Sequence, residues 1–160
     1  MTEDNKNTPQ APPGFQPFPE DGGFNDALAP LFMRIDDDGM TLALLIDDQH
    51  CNPIGICHGA VYMCLMDIAL NAAVCHDLGK YIGAPTITIT LDYMASTKKG
   101  EWLYTSANSL KSTRSIGFAE GKVYNDDGIK VRASGNYKLP ENIEQAEGVA
   151  VADVKAMLNS

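Results

Sequence analysis

The segment HCNPIGICHGAVYMCLMD, His50 to Asp67, gathers two histidines, three cysteines, an asparagine and an aspartate into eighteen residues. Three chemistries compete for it. His50, Cys51, Cys57 and His58 offer imidazole and thiolate, which suit zinc. Their spacing is poor for a metal, because adjacent His-Cys and Cys-His pairs diverge in an extended chain and no C-x-x-C or H-x-x-x-H pair occurs. Cys57 beside His58 offers a nucleophile and a base, but neighbours on a helix point about 100° apart and a thiolate needs its base within hydrogen-bond reach. Small buried cysteines are also common core residues.

Asp67 needs the most explanation. It lies in VYMCLMDIAL, where a buried carboxylate is desolvated unless donors surround it. The plain reading is an acid satisfied by a core hydroxyl or amide, or exposed at a subunit edge. A carboxylate in a cleft is also a common general base or nucleophile. Asn71, four residues on, shares its helical face within range of a supporting hydrogen bond. Gly59 falls in the first helical turn, where backbone N–H groups are unpaired and a glycine lets a carbonyl approach closely. An acid and an oxyanion donor on one helix suggest acyl-group hydrolysis. Eight residues of helix separate them by about 12 Å, so one helix cannot bring both to the same carbon. Two copies related by a dimer axis can.

The elements that must position these residues follow from periodicity. Residues 1–22 are rich in Pro, Gly, Asn and Gln and read as a disordered or loosely packed arm. FNDALAPLFMRI reads as a short amphipathic helix or turn, with Asn25 or Asp26 as cap and Pro30 as limit. IDDDG is a turn, and MTLALLID is a strand with Leu42, Leu44 and Ile46 on one face. NPIG marks a turn before an apolar helix expected over 57–78, closed by Gly79. TITITLDYM alternates strictly, and GEWLYTSANSLKS, SIGFAEGKVYN and GIKVRASGNYKL follow as strands, the last two joined through DDG. EGVAVADVKAML suggests a short C-terminal helix. The pattern is α+β, an antiparallel sheet wrapped around one central helix, with one domain over 23–140 and a tail over 141–160.

Composition narrows the partners. The chain has 160 residues and a net charge of −9, which argues against nucleic acid. The acidity sits in the ends: residues 39–140 carry nine basic and nine acidic groups, and 96–140 carry eight basic and four acidic. An anionic small molecule is therefore not excluded. Ile54–Leu78 is long enough to span a bilayer, but Asp67, Asn71, His76 and Asp77 are costly there, so a core helix and no membrane partner are expected. No apolar leader opens the chain, and four clustered cysteines on or beside one helix do not make a disulfide framework. A cytoplasmic protein is expected.

Asn52, then His58-Gly59, then Asp67 eight positions on, followed by the strand TITITLDYM and the segment KKGEWL, resembles the hotdog-fold acyl-CoA thioesterases of the phenylacetate-pathway (PaaI) type over about residues 24–140. The resemblance implies a hotdog fold, acyl-CoA as substrate, no cofactor or metal, and a homodimer at least, with a tetramer of dimers also compatible. It implies that the Gly59 N–H polarises the thioester carbonyl and that Asn52 positions substrate or water. Asp67 of the other subunit would act as nucleophile or general base. Thr86 would hold the water or orient the carboxylate, and His58 would stabilise the turn. The family's second glycine is Ala60 here. Arg114 and Lys111, in the basic second half, are the cations expected to meet the phosphates of coenzyme A. Tyr62 and Met63, with Met66, are candidates to line an acyl pocket, though such residues at helical spacing are usually core. The alternatives are a non-enzymatic acyl-CoA-binding or regulatory hotdog module, and a hotdog dehydratase or hydratase.

Overall fold

The computed structural model describes residues 9–20 and 22–158. In chain order its strands and helices are β1 (Gln16–Pro17), β2 (Leu31–Asp36), β3 (Gly39–Leu45), α1 (Gly59–Asp77), β4 (Lys80–Ile82) and β5 (Thr86–Tyr93). They continue with β6 (Trp102–Ser112), β7 (Ile116–Asn125), β8 (Gly128–Lys138), β9 (Gly148–Ala150) and α2 (Val151–Leu158). Seven strands form one antiparallel sheet in the order β1-β2-β3-β6-β7-β8-β5, and β4 pairs separately with β9. The sheet wraps around α1, the architecture of a hotdog fold.

α1 has no polar stripe, because most of its surface is covered. Leu65, Met66, Ala69, Leu70 and Val74 are at most 1% exposed. Gly79, with φ of +76°, closes it as a left-handed residue after the C-cap Leu78, the conformation glycine adopts most freely. The helix comes close to the sheet because β6–β8 place small residues beneath it. A Cβ on Gly121 would lie 2.5 Å from the Ser106 carbonyl oxygen and 2.8 Å from the Met66 Cε.

Two expectations change. Residues 31–36 form β2 rather than the end of a helix or turn. Only Phe24–Leu28 winds, as one 3₁₀ stretch begun at Gly23 rather than at Asn25 or Asp26. The run LFM is buried by pairing with β3, Leu31 opposite Leu44 and Met33 opposite Leu42, and this burial overrides the local helical pattern. The second concerns the arm, of which residues 1–8 and 21 lie outside the described residues, while the short C-terminal helix forms as expected. Gln16–Pro17 pairs with β2, and the segment 148–158 supplies β9 and α2.

Between β3 and α1 the chain turns through the 3₁₀ stretch Asp48–His50. His50 is 2% exposed, and its Nδ1 accepts from the Asp47 N–H at 3.0 Å. That bond requires an unprotonated Nδ1. Burial pushes the imidazole below its usual 6.5, against the smaller upward pull of Asp47. The unfolded chain therefore binds the proton first, and stability falls as pH drops through about 6.5. A urea midpoint that declines between neutral and mildly acid pH, with a shallower decline in His50→Gln, is the expected result. For the sheet contact, Gly121→Ala should lose about 1–3 kcal/mol by urea unfolding, since a backbone oxygen cannot swing aside.

Candidate active site

The turn before α1 is built from side-chain capping. Asn52 N–H bonds the Ile56 carbonyl at 2.8 Å, and Asn52 Oδ1 accepts from the N–H groups of Ile54 and Ile56 at 3.1 and 3.3 Å. This places Cys51 opposite Cys57 and returns the chain so that His58 N–H reaches the His50 carbonyl at 2.8 Å. His58 is the N-cap of α1, its Nδ1 accepting from the Ala60 N–H at 3.0 Å. The cap takes the Ala60 donor, and Val61 N–H bonds the His58 carbonyl. The Gly59 N–H, between them, makes no hydrogen bond among the described residues. Tyr93 packs against Gly59. Its hydroxyl donates to the Gly59 carbonyl at 3.0 Å, and a Cβ on Gly59 would lie 3.4 Å from its ring. With its oxygen committed to the turn, Asn52 has only the Nδ2 amide to offer a ligand.

Asp67, half-buried on α1, accepts from Thr86 Oγ1 at 2.7 Å through Oδ1. The first residue of β5 thus meets the helix carboxylate within one chain. Tyr137, fully buried on β8, donates to the Asp67 carbonyl at 3.2 Å and approaches Oδ1 at 3.4 Å. Burial, and then the Asp67 charge, push the Tyr137 phenol well above its usual range, which keeps it a donor. The sequence carries no sign of this contact, because Tyr137 meets Asp67 only through the pairing of Thr86 with Tyr137 across β5 and β8.

Asn71 does not support Asp67. Its amide donates to the Ala84 carbonyl at 2.6 Å and its oxygen accepts from the Cys75 thiol at 3.4 Å. Four residues along a helix bring the two side chains onto one face, but the nearer carbonyl of the α1–β5 connection takes the donor. The consequence is a carboxylate with Oδ1 anchored and no bond to Oδ2 among the described residues.

Asp67 opens onto a cavity of about 410 Å³. Ile68, Ala72 and Cys75 of α1 form one wall, Met33, Ile35 and Met40 of β2 and β3 the opposite one. Tyr62, Met63 and Met66 do not line it. Tyr62 is buried with its hydroxyl on Thr97 Oγ1 at 2.8 Å, Met66 is core, and Met63, four residues before Asp67, is 41% exposed. Lys111 and Arg114 are exposed around the β6–β7 turn, and neither is ion-paired among the described residues.

The four cysteines are free thiols. Burial pushes Cys57 up to about 12 and raises Cys75, the opposite of what an attacking thiolate requires. Among the described residues, no group of three or more His, Cys, Asp or Glu side chains is placed to hold a metal. What the geometry offers among the described residues is a half-free carboxylate lining an apolar cavity, and an unpaired backbone donor about 12 Å away at the helix start.

Residues 54–132 match the model of the thioesterase superfamily. A candidate esterase of Pseudomonas aeruginosa is 30% identical over 130 residues, 81% of this chain and 97% of that protein. Mouse acyl-coenzyme A thioesterase 13 is 30% identical over 95 residues, 58% of this chain and 65% of that protein. The crystal structure of zebra fish thioesterase superfamily member 2 superposes with a TM-score of 0.68 at 22% identity, over 76% of this chain and 89% of the other. By its matched core and its coverage of the bacterial relative, this chain belongs to the thioesterase superfamily.

Proposed function

We infer that this thioester hydrolase cleaves an acyl-CoA to the carboxylic acid and free CoA, at a site shared by two copies of the chain. The observation that carries the reading is the Asp67 carboxylate, anchored through Oδ1 by Thr86 and unbonded at Oδ2, facing an apolar cavity. A mouse relative bears the name acyl-coenzyme A thioesterase. The Gly59 N–H of one copy donates to the thioester oxygen and stabilises the charge that develops there. Asp67 of the other copy either attacks the carbonyl carbon or takes a proton from the water that does. Direct attack gives a mixed anhydride and expels the CoA thiolate, and water then cleaves the anhydride to the acid. The Asn52 amide is a donor for substrate or water beside Gly59, and Tyr137 steadies the helix carbonyl behind Asp67. Arg114 and Lys111, without ion-pair partners among the described residues, are suited to phosphate.

The dimer reading rests on more than the separation of the two groups. Among the described residues β5 pairs only with β8, which leaves its other edge open. Ile87, Tyr93 and the adjoining Met94 are more than half exposed. An uncovered apolar edge is a template for a second strand, and Tyr93 joins that edge directly to Gly59. A second copy docked there lies beside the first copy's Gly59.

Asp67→Ala should lower kcat for acyl-CoA hydrolysis about a hundredfold or more, read as thiol release. Gly59→Pro deletes one N–H at a helix position where proline is well tolerated, and the extended His58, φ −68° and ψ 139°, suits a following proline. Each variant alone should be nearly inactive. Co-expressed, they form hybrid dimers in which one of two sites is intact, restoring about a quarter of native activity. A mixture that stays as inactive as its parts rejects the shared site, and a native protein that releases no thiol from any acyl-CoA rejects the function.

A further inference from the structure

At the Cys75 end of the cavity beside Asp67, part of the lining comes from chain outside the matched core. The α1 wall runs from Asp67 to Cys75, eight residues or about 12 Å. At the Cys75 end the closing residues are Tyr81 and Ile82 of β4 with Val149 and Val154 of β9 and α2. Phe18 and Pro19 line it from the N-terminal side. The superfamily match covers 54–132, so the two valines and Phe18 lie outside it.

The tail is held there by specific contacts. Tyr81 pairs with Val149, and Val151 N–H bonds the Gly79 carbonyl at 3.0 Å. The Lys80 ammonium donates to three carbonyls of the approach to β9, those of Ile143, Glu144 and Ala146, at 3.4, 3.1 and 2.5 Å. Lys155 of α2 is paired with Asp37 at 3.0 Å. These contacts hold Val149 and Val154 at the Cys75 end of the cavity.

We propose that the C-terminal segment β9–α2 is the stop that measures the acyl chain, and that the substrates are CoA thioesters of uncharged, apolar acyl groups of medium length. This rests on Asp67 marking the carbonyl end. Twelve ångströms is the extended reach of roughly eight to ten carbon–carbon bonds of about 1.5 Å at tetrahedral angles. The side walls carry Met33, Ile35, Met40, Ile68 and Ala72, which favour methylenes through burial of apolar area. A second carboxylate on the acyl group would be desolvated among these side chains and repelled by Asp67. Val154 is half-buried on α2, so a larger side chain there shortens the cavity from its far end without touching Asp67.

The test is steady-state thiol release by the full chain on saturated acyl-CoAs of increasing length, for the native protein, Val154→Trp and Val154→Ala. For the native protein kcat/KM should rise with length to about eight to ten carbons and then level or fall. The decanoyl-to-butyryl ratio of kcat/KM should fall about tenfold or more in Val154→Trp, the scale set by one or two methylenes in a closed apolar pocket. It should hold or rise in Val154→Ala. A ratio unchanged in Val154→Trp, or falling alike in both variants, overturns the stop while leaving acyl-CoA hydrolysis standing. Equal native turnover of acetyl and decanoyl thioesters overturns it as well. Absence of any native turnover removes both this inference and the function on which it rests.

Discussion

The structure depends on one close contact, that of α1 with the sheet that wraps it. A helix apolar on nearly every side must be enclosed to be stable in a globular domain, and a sheet can enclose it only by approaching closely. Gly121 and Gly135 on β7 and β8, with Ala107, Ala119 and Ala133 around them, remove side-chain bulk where the helix sits. The same contact explains where chemistry can occur. A helix enclosed this fully has few places to carry a carboxylate. Asp67 occupies one, where the start of β5 supplies the Thr86 hydroxyl and the sheet leaves a gap toward β2 and β3.

The two ends of α1 illustrate different ways of arranging polar groups. At the N-terminus the work is local. Asn52, His50 and His58 satisfy backbone groups of their own turn and leave one donor, Gly59, unpaired. At Asp67 the work is long-range, since Thr86 and Tyr137 come from strands that pair with each other far along the chain. The histidines and cysteines that make the segment conspicuous turn out to be capping and packing groups.

That contrast accounts for what could be read in advance. α1 and the strands β3 and β5 to β8 show their periods plainly, because each contributes a regular set of residues to one core. His58 caps the turn of α1 that it adjoins, whereas Thr86, nineteen residues from Asp67, entered only through the family resemblance. β2 was hidden because LFMRID is short and follows a helix-like run, and only pairing with β3 determines it. β4 and β9 are three residues each and exist only as partners. Asn71 was misjudged because helical spacing does not reveal the Ala84 carbonyl that competes for it. Tyr137 and the cavity walls were out of reach, since they need the strand order. The tail showed its helix but not its place, because nothing in its sequence pairs Val149 with Tyr81.

Lys80 gives this arrangement a hereditary consequence. One ammonium gathers three carbonyls of the segment that leads into β9, while Asp67, Thr86 and Gly59 take no part in holding the tail. Descendants of such a chain can lengthen, shorten or exchange the segment and so acquire a different diet, with the reacting groups inherited intact. Diversification of substrate and preservation of mechanism then proceed along separate stretches of the gene.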